Sequence, residues 1–292
     1  MTRAAMPAAT VGALALLLVG CGGGNEEAAP EEFTGVPLEL QDPGPVHVHG
    51  LGYDLRRKIL YVATHTGMFE LADGAAKATR IGDKHQDTMG FTLIKPNLFL
   101  GSGHPDTREE LPPHLGLIRS TDRGRSWTPV SLLGEADFHV LRARGTNVYG
   151  FDSSNERLLA SRDSGRTWTK LQAPEVLLDI AVDPSDPEHL IASGGAVLYR
   201  SQSGGRKWQA VASGVSGYLA WPSTKRLFVA TLDGAFLSAR GANGPWRSRG
   251  PLGSPVAALL AVNETTLFAA LHDGTIKQSV DGGVTWKVRA TP

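Results

Sequence analysis

Ser120–Trp127 reads STDRGRSW, Ser161–Trp168 reads SRDSGRTW and Ser279–Trp286 reads SVDGGVTW. The three share Ser, Asp, Gly, Ser or Thr, and Trp at the same offsets. Two weakened copies lie between the second and third, SQSGGRKW ending at Trp208 and SARGANGPW ending at Trp246. Successive Trp spacings from Trp127 to Trp286 are 41, 40, 38 and 40 residues. A fixed period of that size is the mark of a repeat architecture.

The segments between these motifs carry short apolar runs broken by turn residues, as where DPSDP (183–187) separates two runs, and they lack a 3.6-residue apolar period. Each repeat therefore reads as four short strands, with the motif in the turn between the third and fourth. The predicted fold is all-β, a six-bladed β-propeller of four-stranded repeats. Second strands are expected at Leu60–Thr64, Leu98–Gly101, Val148–Phe151, Leu190–Ser193, Leu227–Thr231 and Leu267–Leu271. The first repeat keeps only a degenerate turn around Asp73 and Gly74.

Asp at the head of such a turn accepts hydrogen bonds from the turn's own amides, Gly supplies a permissive φ, and Trp packs between sheets. Asp122, Asp163 and Asp281 are thus expected to be structural, and Trp127, Trp168 and Trp286 to be core residues. The motif resembles the Asp box, or BNR repeat, of sialidases, sortilin-type propellers and propeller factors of photosystem II assembly. The resemblance spans about residues 46–289 and implies fold rather than activity. Around HVHGLGYD (47–54), THTG (64–67), DTMGF (87–91) and SGHP (102–105) the chain is also similar to bacterial lipoproteins described as glycosylhydrolase-like.

Working outward to the N-terminus, Arg3 precedes an apolar stretch, Val11–Val19, that is too short for the ~20 residues of a membrane span. Leu18, Val19, Gly20 and Cys21 resemble a bacterial lipobox, which implies cleavage before Cys21 and lipidation of it. Cys21 is the chain's single cysteine, so neither a disulfide nor a thiolate metal site is expected. The expected organisation is a signal peptide over 1–20, lipidated Cys21 and a Gly/Ala/Pro/Glu tether over 21–35, and one propeller domain over 36–292. The implied location is extracytoplasmic, anchored to a bacterial membrane through Cys21. Lys+Arg and Asp+Glu number 29 each, so no global field draws the chain to nucleic acid.

In a propeller the first strand of each blade lines the channel, and the starts of first strands meet the ends of second strands on one face, here the top. Eight of the nine histidines map to that face, and only His189 maps to the bottom. His47 and His49, two apart, project to one side of a strand. By repeat alignment His49 matches Met89, His139 and Asp179, and His47 matches Asp87 and Asp137. The candidate metal set is His47, His49, His65, Met89, His104 and His139, with copper or zinc as the cofactor and copper favoured if the Met89 thioether ligates.

An insertion, Pro105–Leu115, could place Glu109, Glu110 and His114 over the site. The alternatives are a glycoside hydrolase using Asp87 and Asp137 as paired carboxylates, and a non-catalytic scaffold for protein partners. The sequence leaves open whether the chain is an enzyme and whether the top face takes a metal, a glycan or a protein. Sialidase activity is disfavoured: no FRIP-like segment is present, and Arg56, Arg57, Arg142 and Arg144 map towards the bottom turns.

Overall fold

The computed structural model describes residues 42, 44–241 and 244–292. The expected signal peptide, Cys21 and the expected tether therefore lie outside the described residues. Residues 42–292 form one compact unit. It contains six four-stranded antiparallel sheets, each made from one contiguous stretch of chain. This is the six-bladed β-propeller that the 40-residue period demands.

The first strands of the six blades are Val48–Asp54, Asp87–Lys95, Phe138–Arg144, Asp179–Val182, Gly217–Ser223 and Val256–Ala261. Each touches the first strand of the next blade, and the last touches the first, so they form the wall of the channel. The second strands fall where the sequence placed them, except that the second blade's runs on to His104. That extension carries a histidine to the top rim.

The core is split between blades rather than gathered at one centre. In the first blade Leu60 and Val62 pack toward the sixth blade, against Ala258 and Phe268. Tyr61 and Ala63, alternating with them, pack toward the second blade against Phe91 and Phe99. Period-two alternation normally puts one face in water, but here both faces are buried, so these strands read as unbroken apolar runs. Fully burying each such Leu or Phe contributes roughly 2 kcal/mol.

Among the described residues every blade is completed by four strands of one contiguous stretch, without strand exchange between blades. The last blade is fastened to the first by the apolar cluster holding Val48, Leu51, Ile276 and Ala290, and by the Arg289 guanidinium, which donates to the carbonyls of Ala72 and Ala75.

The repeated turns have the expected local chemistry. Asp163 accepts from the Thr167 amide at 2.9 Å, the Thr167 hydroxyl at 2.7 Å and the Arg166 amide at 3.0 Å. Asp122 and Asp281 make the matching bonds to Ser126 and Thr285. In the weakened fourth repeat Ser203 replaces Asp, and its hydroxyl accepts the Lys207 amide at 3.1 Å.

Trp127, Trp168 and Trp286 are half-buried rather than core residues. Each bridges blades: the Trp168 indole donates to Ser131 at 2.9 Å and lies 5.1 Å from the Phe138 ring, while Trp286 donates to the Gly250 carbonyl and meets Phe236 edge-on. The motif sits at the blade's rim, which leaves one edge of each indole in solvent.

Candidate metal centre

The top rim is shaped by a recurring irregularity of the first strands. In the first blade Val48 pairs with Thr64 and Gly50 with Ala63, which leaves His49 as an extra residue between them. Met89 in the second blade, His139 in the third and Ala257 in the sixth occupy the same kind of bulge. A bulge re-aims its side chain relative to the regular pleat. His49, Met89 and His139, with His47 and His272, line one cavity of about 300 Å³ at the channel mouth.

Two glycines set how closely the elements approach there. A Cβ on Gly90, next to Met89, would lie 2.3 Å from the Phe138 carbonyl oxygen, so the second and third blades meet backbone to backbone. Gly103 has φ of 135°, and a Cβ there would lie 2.1 Å from the Asp87 carbonyl oxygen. Gly103 therefore lets the second strand turn outward beside Asp87 and deliver His104.

Among the described residues two trios of potential ligands result, His49–His65–Asp87 and His104–His114–Asp137, each offering atoms within 4.8 Å of one another. In the first, His65 Nδ1 lies 2.8 Å from Asp87 Oδ2, and His49 Nε2 lies 3.5 Å from Asp87 Oδ1. His49 Nε2 and Asp87 Oδ1 are both buried, and neither has a hydrogen-bond partner among the described residues. In the second, Asp137 Oδ2 lies 2.9 Å from His139 Nε2 and 3.7 Å from His104 Nε2. Asp137 Oδ1 and His114 Nδ1 are likewise buried without partners.

Electrostatics separate these groups. Burial lowers the His49 imidazole to about 4, reinforced by the neighbouring charges of His65, His139 and His47. It is therefore neutral at pH 7, and its approach to Asp87 is neither an ion pair nor a hydrogen bond. Burial pushes the Asp87 carboxyl up, against the attraction of His65 and His104. For Asp137 burial acts in the same direction, but the His139 hydrogen bond and the charges of His139, His104 and His114 outweigh it and leave the carboxyl below its ordinary value.

The other candidates are placed as follows. His47 is exposed, with its ring 6.0 Å from that of His65 and a φ of 51°, in the left-handed region a non-glycine residue seldom adopts. Met89 and His139 flank the trios without belonging to them. Asp179 does not continue the ring. It is buried, accepts from the amides of Ile180 at 2.7 Å and Leu219 at 2.8 Å, and pairs with Arg142 at 2.6 Å. The fourth blade's first strand lacks the bulge, so one-residue repeat alignment fails there.

Arg142 also departs from expectation: it lines the channel interior, in a cavity of about 330 Å³ shared with His49 and His139. Arg57 sits in the bottom turn against Asp54, as expected. Of the insertion's residues, Glu109 turns to Lys84 and Glu110 is exposed, so the carboxylates do not join the site while His114 does.

The sequence places His114 only in a lid, whereas the repeat alignment already sets Asp87 and Asp137 at the channel mouth with the histidines, either as chelating carboxylates or as catalytic acids. Neither Gly90 nor Gly103 was singled out, although Gly beside Met89 and Gly before His104 were the available signals.

No family model matches the sequence. The dispase autolysis-inducing protein of Streptomyces mobaraensis is 29% identical over 146 residues, which is 48% of this chain and 36% of that protein. The chain thus spans about a third of that relative's length. Among solved structures, a GH74 enzyme from Niastella koreensis matches at a TM-score of 0.58 and 16% identity, covering 84% of this chain and 45% of that one. YCF48 from Cyanidioschyzon merolae matches at 0.51 and 14%, covering 84% and 85%. At such identities these similarities concern the β-propeller fold alone.

Proposed function

We propose that the chain is an extracytoplasmic, lipid-anchored propeller of the Asp-box type whose channel mouth binds a transition metal through His49, His65 and Asp87. The observation that carries the metal reading is the buried, unpartnered pair His49 Nε2 and Asp87 Oδ1, 3.5 Å apart. A buried polar atom left unpaired costs about 1–3 kcal/mol, and a cation bound between these two would satisfy both.

A neutral imidazole needs no proton displaced before it coordinates, which suits His49 to the role. Two imidazoles and one carboxylate suit zinc or copper, and Met89 in the same cavity favours copper in its reduced form. Equilibrium dialysis of the purified chain against copper and against zinc tests this. The double substitution His49→Ala/His65→Ala is expected to lose one ion per chain while the metal-free chain keeps the wild-type circular-dichroism spectrum; unchanged stoichiometry contradicts the site. Met89→Leu is expected to weaken copper binding and spare zinc.

The lipid anchor rests on the lipobox-like Leu18–Cys21 junction. Cys21→Ala is expected to abolish labelling by radioactive palmitate and to release the chain from membranes. The Asp-box assignment is supported by the amide and hydroxyl bonds that Asp122, Asp163 and Asp281 accept within their turns.

One observation favours hydrolysis as a second reading. Asp87 is pushed up and Asp137 held down, the split that general acid and base carboxyls require. Turnover of a polysaccharide by the metal-free chain, lost in Asp87→Asn, would favour it over metal binding.

A further inference from the structure

We propose that His104, His114 and Asp137 form a second transition-metal site whose third ligand is supplied by the insertion Pro105–Leu115. This rests on reading the channel mouth as a metal-binding face, but its ligands are distinct from those of the first site.

One ring nitrogen of His104 is assigned by geometry. Its Nδ1 lies 2.8 Å from the Pro113 carbonyl oxygen, and only a donor pairs with a carbonyl, so Nδ1 holds the proton. In the neutral ring Nε2 then presents a lone pair, and it faces Asp137 Oδ2 at 3.7 Å. That distance is too long for a hydrogen bond and leaves room for a cation beside the carboxylate, whose Oδ2 already accepts from His139 at 2.9 Å and from the Ser154 hydroxyl at 3.3 Å while its Oδ1 stays open. A backbone carbonyl on the far nitrogen is also the partner that orients metal-ligating histidines.

The remaining ligand atoms are ready in the same sense. Asp137 Oδ1 and His114 Nδ1 are buried with no partner among the described residues. His114 is held in place by its surroundings: its carbonyl accepts the Gly134 amide at 2.7 Å, and the next amide, Leu115, donates to Gly103 at 2.9 Å. The front of the insertion is pinned by Asp106, which accepts the amides of His85 at 2.7 Å and Arg108 at 3.0 Å. The insertion is therefore a built ligand arm.

Two imidazoles and one carboxylate, with a fourth position left for solvent, match the donor set of an open zinc site. Met89 lines the cavity of the first site and not this trio, so no thioether biases this one toward copper. The ligand class is a zinc-like divalent cation.

The test is zinc stoichiometry of the full chain after dialysis, by elemental analysis, in four proteins: wild type, His114→Ala, His104→Gln and His49→Ala/His65→Ala. The expected contents are two ions in wild type and one in each variant. His104→Gln keeps side-chain size, so it decides the matter should His114→Ala lower the metal-free melting temperature. Two ions retained in both His104→Gln and His114→Ala overturn the second site. A single wild-type ion that survives in those variants but not in His49→Ala/His65→Ala overturns it while leaving the first site intact. A single ion lost only from the His104 and His114 variants supports the second site and shows that the first takes no zinc. No zinc in wild type overturns the second site, and dialysis against copper then decides the first.

Discussion

His49 Nε2 stands 3.5 Å from Asp87 Oδ1, in the bulge of one blade against the first residue of the next blade's innermost strand. Because burial lowers His49 to about 4, its imidazole is neutral through the range where an exposed histidine takes up a proton. In the metal-free protein its ring C–H resonances should titrate with a midpoint near 4 by NMR; a midpoint near 6.5 would show the pocket to be open to water. An unfolded chain binds this proton first, so His49 contributes stability above about pH 6.5 that is lost as the pH falls toward 4.

The turn aspartates make a second pH-dependent contribution. The Thr167 amide and hydroxyl hold Asp163 well below the usual carboxylate range, and the Thr285 hydroxyl and amide hold Asp281 at about 2. Both depressions add stability above the unfolded carboxyl value of about 3.9, and that stability disappears as pH falls below it. Thermal melts between about pH 5 and pH 2.5 should show a larger fall for wild type than for Asp163→Asn/Asp281→Asn. Parallel curves would mean that these bonds do not form.

The blade-bridging indoles test packing. Trp168→Ala removes the contact with Phe138 and the bond to Ser131, and is expected to cost about 3 kcal/mol, the low end for a large aromatic because the ring is half-buried. Trp168→Phe keeps most of the contact and should cost about 1 kcal/mol. Denaturant melts distinguish the two; equal effects would assign the role to the hydrogen bond alone.

Gly90→Ala should be as damaging as a much larger change, because the new methyl would sit 2.3 Å from the Phe138 carbonyl and force two blades apart. A loss of about 2 kcal/mol or more is expected. Wild-type stability in this variant would contradict the close approach that brings Asp87 and Asp137 to one rim.

The blade count was legible because the Trp spacing near 40 residues is a one-dimensional signal that survives without long-range information. The second strands were legible for a related reason: both faces are buried, so they stand out as apolar runs. The site was only half legible. His49, Met89 and His139 line up in sequence because they occupy bulges at one repeat position, whereas the bulge itself leaves no residue signature, so Asp179 was aligned into a ring it does not join. His114 could not be placed because an insertion has no counterpart in the other repeats, and its position depends on bonds such as Gly134 to His114.

The proposed metal ion lies between His49, His65 and Asp87. Crystals of the chain grown with copper or zinc, measured on both sides of the metal's absorption edge, test it directly. An anomalous peak is predicted roughly 2.0–2.2 Å from His49 Nε2 and from an Asp87 oxygen. A metal-loaded crystal with no anomalous density between these residues, and a His49 Nε2 still without a partner, would contradict the account.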